Sequence, residues 1–378
     1  MSVTKKQFLE GAAAIAEVVS RIKPAVVSAY PITPQTHIVE DLAQRAVDKK
    51  ATYEYVRAES EFAAASIVLG ASATGARTYS ATSSQGLLLM TEVLYNLSGL
   101  RLPVVMTVAN RAISGPINIW NDHSDIMALR DCGAILLFAE THQEAIDQHI
   151  LAYKVAENLN LPVLVNVDGF ILTHAFTSCY LPDSQTIKKF LPQRKLITGE
   201  YLNPKNPVTI GVFSGPDTYP QFRGQLQKDL LAATETIKKD YTAWKKIFPT
   251  PKEKRALIDT GLIEYYGAKN PALVIVAMGT VCGTIKQVLD NYSGKVALLK
   301  IRCYRPFPSA AIKQALKGVK RVLVLEKSYG LGHESPLKLD LSAALWGEKI
   351  DLQAKVLGLG GQDITEKQIQ SLIKKYEK

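Results

Sequence analysis

Four short stretches of the chain combine hydroxyl, carboxylate, guanidinium and imidazole groups at spacings that chemistry can use. Tyr30-Pro31-Ile32-Thr33-Pro34-Gln35-Thr36 brackets one threonine between two prolines, which fix φ on both flanks. That would hold the Thr33 hydroxyl in one direction, as substrate recognition requires. The bland alternative is a rigid turn with Thr36 capping the next helix. Arg57-Ala58-Glu59-Ser60-Glu61-Phe62-Ala63-Ala64-Ala65 sets carboxylates at the head of a small-residue run. Either Glu59 and Glu61 complement a helix N-terminus, or one of them is buried against a flat ring as an acid/base group. Ser83-Ser84-Gln85-Gly86 reads as a polar cradle at a helix start or as an ordinary N-cap. The longest stretch, Asn110 to Asp125, holds one arginine, three asparagines, two aspartates and one histidine. Arg111 is first out of its strand and is placed to grip a carboxylate through two parallel hydrogen bonds. His123, between Asp122 and Asp125, has metal-type neighbours, but at a helix start this pattern reads as a local network, and no metal is assigned to the chain.

Other signals are weaker. Gly279-Thr280 and Gly358-Leu359-Gly360-Gly361-Gln362-Asp363 both fall short of G-x-G-x-x-G, and there is neither a P-loop motif nor a G-x-S-x-G elbow. The four cysteines, Cys132, Cys179, Cys282 and Cys303, include no C-x-x-C pair, which excludes a contiguous zinc or iron–sulfur motif. They read as isolated buried thiols in a reducing cytoplasm.

The elements that must position these stretches form two α/β arrays. Apolar runs predict strands over 25–29, 53–57, 77–81, 104–109, 135–139 and 163–167. Helices are predicted over 3–19, 38–47, 62–73, 86–97 and 143–157. Near-continuous apolar strands alternating with helices indicate a parallel sheet covered on both faces, whose ligands bind where loops leave the strand carboxyl ends. All four stretches follow such strands. Residues 178–260 break the rhythm with eight prolines and many lysines. Their aromatic content argues for a connector packed on the domains, with a helix over 221–244. Alternation resumes with strands over 273–278, 296–301, 322–326 and 353–357 and helices over 281–291, 310–316, 339–346 and 366–376, the last opened by a Thr365/Gln368 capping box. The expected domains are therefore 1–177, the 178–260 connector and 261–378.

With 378 residues, 47% apolar and 21% charged, the composition excludes a disordered or low-complexity chain. No apolar run is long enough for a membrane span, and the N-terminus reads as an amphipathic helix, not a signal peptide. The net charge of +10 is uneven: residues 1–177 carry −4, residues 178–260 carry +6 and residues 261–378 carry +8. Such a surplus points to an acidic partner or a phosphate-bearing ligand, and one reading is a basic, non-catalytic nucleic-acid module. No nucleic-acid motif or basic–aromatic platform supports it.

Tyr30–Thr36, Glu59–Ala65, Thr82–Leu89 and Arg111–Asp125, with Arg305-Pro306-Phe307-Pro308 and Gly358–Thr365, resemble the alpha subunits of the pyruvate:ferredoxin oxidoreductase (pyruvate synthase) family, in order along nearly the whole chain. The resemblance implies an α/β fold. A domain similar to the pyrimidine-binding domain of thiamine diphosphate enzymes would be followed by a smaller one similar to the transketolase C-terminal domain. It implies oxidative decarboxylation of pyruvate with coenzyme A, giving acetyl-CoA and carbon dioxide, with electrons passing to ferredoxin. It also implies that Glu61 hydrogen-bonds N1′ of the cofactor's aminopyrimidine, with Glu59 as the alternative, and that Arg111 and Thr33 hold the pyruvate carboxylate. Tyr30, Pro31, Ser83, Gln85, Asn118, Asp122 and His123 would line the site. Val167-Asp168-Gly169 is not the G-D-G motif of a Mg²⁺–diphosphate site. The resemblance therefore implies that beta, gamma and delta subunits bring Mg²⁺ and [4Fe-4S] clusters, in a dimerised heterotetramer. A sister enzyme for 2-oxoisovalerate, 2-oxoglutarate or oxalate would share the architecture.

Overall fold

A computed structural model describes residues 6–250 and 255–377. The first array runs β1 (Lys6–Glu10), α1 (Gly11–Ile22), β2 (Val26–Ala29), α2 (Thr36–Val47), β3 (Glu54–Arg57), α3 (Glu61–Ala73), β4 (Thr78–Thr82), α4 (Ser84–Leu89), α5 (Thr91–Gly99) and β5 (Val105–Asn110). It continues with α6 (Ser124–Ala128), β6 (Ile135–Phe138), α7 (His142–Leu159), β7 (Val163–Asp168) and β8 (Phe176–Tyr180). The connector carries α8 (Ser184–Phe190) and α9 (Tyr219–Ile247). The second array comprises β9 (Ala256–Asp259), β10 (Ile263–Gly267), β11 (Leu273–Ala277), α10 (Val281–Asp290), β12 (Val296–Ile301), β13 (Cys303–Arg305), α11 (Ser309–Ala315), β14 (Arg321–Glu326), α12 (Pro336–Ala344), β15 (Asp351–Val356) and α13 (Glu366–Tyr376).

Strands β4 to β7 are buried at every position, as in a parallel sheet covered on both faces, although β4, β5 and β7 also carry buried polar residues. The first sheet has the order β13-β6-β7-β5-β4-β2-β3. All its neighbours are parallel except β13, which runs antiparallel to β6. The second sheet has the order β15-β14-β11-β12-β10-β9, parallel from β15 to β12 and antiparallel beyond. Thr365 and Gln368 form the expected capping box on α13.

Two sequence expectations need correction. The expected helix over 3–19 starts only at Gly11, its first residues 3–5 lying outside the described residues. Lys6–Glu10 is instead a strand paired antiparallel with β8. Phe8 packs there on Phe176 with ring centroids 5.8 Å apart, so tertiary pairing outweighs the helical pattern. At Gly11 a side chain is impossible, because an added Cβ would stand 1.9 Å from the Leu172 carbonyl oxygen. The expected helix over 86–97 is two helices, broken at Met90.

One apolar core runs through both arrays. It includes β5 and β7, the α9 residues Ala233, Ile237 and Trp244, and Val274 and Leu299 of the second sheet. Fully buried Trp244 contributes on the order of 3 kcal/mol of apolar burial. Its indole nitrogen donates to Asp147 of α7 at 3.1 Å. Beside it, Lys300 and Arg302 from the second array meet Glu144 of α7 at 2.7 and 2.9 Å. Burial alone would raise the Glu144 carboxyl, but these two cations hold it well below the carboxylate range.

Candidate active site

The chain visits β3 before β4, yet β2 lies between them. The winding direction reverses at β2/β4, and at such switch points the loops leaving adjacent strands part to admit a ligand. The loop after β2 carries Thr33, and β4 is followed by Ser83 and by Gln85 in the first turn of α4. Gln35 ties the two strands together, its amide nitrogen donating to the Tyr30 carbonyl at 3.0 Å and the Ala81 carbonyl at 2.9 Å.

Glu61 is the first residue of α3, following a Ser60 cap whose hydroxyl accepts the Ala63 amide at 3.1 Å. Helix α3 is rich in alanine, so it packs closely on β2 and β4, and its first turn carries Glu61 into the interior. Glu61 is buried while Glu59 is exposed. Its carboxylate faces Gly86 and Thr82. A Cβ on Gly86 would lie 2.7 Å from Glu61 Cγ, from Glu61 Oε1 and from Thr82 Oγ1, so only glycine leaves this space open. Three polar atoms here are buried without a hydrogen-bond partner among the described residues: Thr82 Oγ1, Ser83 Oγ and Gln85 Nε2. Ser83 stands at the N-cap position of α4 without capping it through its side chain. Its hydroxyl is therefore not spent on local structure.

Arg111 follows β5. Its Nε donates to the Asn118 carbonyl at 3.0 Å and its Nη1 to the Thr33 carbonyl at 2.9 Å. The residue is buried, and among the described residues no carboxylate forms an ion pair with it. Burial pushes its pKa down, only partly offset by the charge of Asp125. A buried guanidinium with unused N–H groups calls for an anion. Thr33 is half-buried, while Tyr30 and Pro31 are exposed at the rim.

Asp125, in the first turn of α6, joins the two halves. Its Oδ2 accepts the backbone amides of Ser84 at 3.1 Å and Arg111 at 3.0 Å, and its Oδ1 accepts the Asn110 side chain at 3.0 Å. Burial pushes the Asp125 carboxyl up to about 6 despite these bonds.

The remaining sequence candidates serve a different contact. Asn118 donates to the Gly360 carbonyl at 3.2 Å, and Asp122 Oδ2 accepts the Gly360 amide at 3.2 Å. His123 Nε2 lies 2.8 Å from Asp168 Oδ1, inside a buried inter-domain network. Lys327 reaches Asp168 at 2.6 Å and Asn121 at 2.9 Å, and Thr280 also bonds Asp168. Burial alone would raise the Asp168 carboxyl, but Lys327 and His123 hold it far below the carboxylate range. Asn118, Asp122 and His123 fasten the Arg111 loop to the second array. Asp125 was read in the sequence only as a metal-type neighbour of His123, and Asp168, Thr280 and Lys327 were not site candidates. Asp168 and Lys327 share a legible signal: a charged residue at or just past the carboxyl end of a buried apolar strand.

The geometry thus pairs a buried carboxylate facing unused hydroxyls with a buried cation beside a half-exposed threonine. It suits a polar heterocycle on one side and a small carboxylate on the other. Residues 17–241 match the family model described as pyruvate flavodoxin/ferredoxin oxidoreductase, thiamine diphosphate-binding, and residues 272–369 match pyruvate:ferredoxin oxidoreductase core domain II. The chain is 42% identical to the pyruvate synthase subunit PorA of Methanosarcina barkeri, over 99% of this chain and 93% of the relative. Identity is again 42% to the subunit of that name from Methanocaldococcus jannaschii, over 98% of this chain and 95% of the relative. It is 35% to the ketoisovalerate oxidoreductase subunit VorA of Pyrococcus horikoshii, over 99% of this chain and 94% of the relative. Among solved structures, 2-oxoglutarate:ferredoxin oxidoreductase from Magnetococcus marinus shares the fold, with a TM-score of 0.75 and 20% identity. That match covers 100% of this chain and 66% of the other.

Proposed function

The chain belongs to the pyruvate flavodoxin/ferredoxin oxidoreductase family, and from that premise we propose that it is the alpha subunit of a thiamine-diphosphate-dependent pyruvate:ferredoxin oxidoreductase. The reaction converts pyruvate and coenzyme A to acetyl-CoA and carbon dioxide, with two electrons delivered singly to ferredoxin, or runs in reverse. The observation that carries this reading is the buried Arg111 guanidinium, without an ion-pair partner among the described residues and bonded to the Thr33 carbonyl. A 2-oxoacid brings the carboxylate that such a group lacks.

The cofactor fits the residues on the other side. Glu61 offers a buried carboxylate as acceptor, and Thr82 Oγ1, Ser83 Oγ and Gln85 Nε2 have unspent hydrogen-bonding capacity near it. The absence of a side chain at Gly86 lets the Glu61 carboxylate lie close against α4. Thiamine diphosphate, when bound, supplies a centre that takes up the electron pair released as the carboxylate leaves. Glu61 would share a proton with the N1′ ring nitrogen of the aminopyrimidine, and Ser83 and Gln85 would bond its polar edge. Arg111 would hold the substrate carboxylate in a dry cleft, where its charge counts for most, and Thr33 would orient it. Beta, gamma and delta subunits would bring the Mg²⁺–diphosphate site and [4Fe-4S] clusters, with ferredoxin as the acceptor, in the cytoplasm. The free, buried state of all four cysteines supports the last point.

Two substitutions test the assignment in the assembled complex. Arg111→Ala removes a charge-assisted pair worth about 1.5–3 kcal/mol and is expected to raise the pyruvate KM roughly 10- to 150-fold; an unaltered KM moves the carboxylate site elsewhere. Glu61→Gln is expected to slow proton exchange at the cofactor's thiazolium C2 by roughly 10²–10⁴-fold, and unchanged exchange removes the role. The 35% identity to a ketoisovalerate oxidoreductase subunit favours a branched-chain 2-oxoacid as the second reading. Faster turnover on 2-oxoisovalerate than on pyruvate would establish it.

A further inference from the structure

Away from the cleft, Glu10 at the end of β1, His37 in the first turn of α2 and His174 in the turn after β7 come together. One donor atom of each lies within 4.8 Å of the others. Glu10 Oε1 and His37 Nδ1 are 2.8 Å apart, and the two imidazole rings stand 4.4 Å apart centre to centre. Two imidazoles and one carboxylate are a three-ligand set that zinc accepts while keeping a fourth position for water. Donors on a tetrahedral zinc with bonds of about 2.0–2.1 Å sit roughly 3.4 Å from one another. The widest separation therefore has to close by no more than about 1.4 Å. The half-exposed His37 ring has the rotamer freedom to do this.

His174 is braced from behind. Its Nδ1 lies 2.7 Å from the hydroxyl of Thr173, a fully buried residue that also accepts the Phe170 amide at 2.9 Å. A bond to the second ring nitrogen is the device that fixes the tautomer and direction of metal-bound histidines, and here it leaves Nε2 free. The other carboxylate group of comparable size, Glu140, Glu144 and Glu264, lacks this character, because Lys286, Lys300 and Arg302 already pair with it.

We propose that Glu10, His37 and His174 form a binding site for a divalent transition metal of the zinc type. The ion would fasten together three segments: the N-terminal strand, the start of α2 and the turn after β7. His37 lies four residues beyond Thr33. The Phe170 ring packs at a tilt against His174, centroids 4.7 Å apart, and against Trp120 of the Arg111 loop, 4.5 Å apart. An occupied site would therefore stiffen the ground on which both carboxylate-facing loops rest.

The test is a zinc chloride titration of the metal-free full chain against a competing chromophoric chelator, with circular dichroism confirming that each variant is folded. One equivalent is expected to bind, and x-ray absorption of the complex is expected to report two imidazole nitrogens. His37→Asn and His174→Asn should each weaken binding at least tenfold. Thr173→Val should weaken it roughly 10- to 100-fold through lost bracing, and exposed His333→Asn should leave it unchanged. Binding below one equivalent, or binding that the His37 and His174 substitutions leave intact, overturns the site.

Discussion

Asp125 touches no side chain expected to meet ligand, yet through backbone amides it holds both segments that do. Its carboxylate accepts the amides of Ser84 and Arg111, so the cradle after β4 and the guanidinium after β5 share one anchor. Protonation would place an O–H against amide N–H donors and weaken that tie. Because the carboxyl is pushed up to about 6, kcat/KM for pyruvate is expected to fall on the acid side with an apparent pKa near that value. Asp125→Asn should lower the plateau and flatten this limb; a limb unchanged in the variant assigns it elsewhere. The stability effect has the opposite sign. The folded value lies above the unfolded one, so the contribution of Asp125 to folding is fullest below about pH 4 and is lost as pH rises through about 6. The residues alone left Glu61 and Glu59 open, and only the family resemblance chose Glu61; Arg111, the charge first out of a buried strand, was legible in its own right. Asp125 was not, since the amides it binds lie 14 and 41 residues away and leave no local mark.

At the scale of elements, the arrays were legible wherever apolar period and turn chemistry agreed. Strand β12 falls on the expected residues, and α13 begins at its capping box. The failures lie where distant pairing decides. The strand β1 exists because β8 offers it a partner 170 residues later, and β13 because β6 has a free edge. The same holds for the latch between β7 and β14, made of Asp168, Lys327, His123 and Thr280. Asp168→Asn would strand the Lys327 ammonium in a buried site. Breaking such a pair costs about 3–5 kcal/mol, which a urea unfolding curve would read as a lower midpoint. Loss of the latch should also raise the pyruvate KM, because the Arg111 loop rests on it. In the unsubstituted chain the folded Asp168 value is depressed, so its stabilisation is present above about pH 4 and lost as pH falls. An unchanged midpoint for the variant would mean that the latch carries no net stability.

For the whole molecule, the +10 charge and the candidate site separate. The four candidate stretches lie in the acidic first 177 residues, and the surplus lies beyond them. Lys239 and Lys246 of α9 are exposed, and a basic face there suits an acidic ferredoxin or an acidic sister subunit. Lys239→Glu with Lys246→Glu is expected to raise the ferredoxin KM, by an amount that shrinks with added salt. If both KM and assembly are unaltered, the surplus serves solvation alone. No helix among the described residues is long and apolar enough to cross a membrane. The edge strand β13 also imposes an order in time. The ribosome completes the first six strands of the large sheet by residue 168 but supplies the seventh only at residue 305. At translation rates of about 5–20 residues per second, the nascent chain keeps the β6 edge unpaired for on the order of ten seconds, and an unpaired edge is a template for aggregation. Synthesis halted in that window would leave a nearly finished domain that chaperones, and not its own chain, must shield.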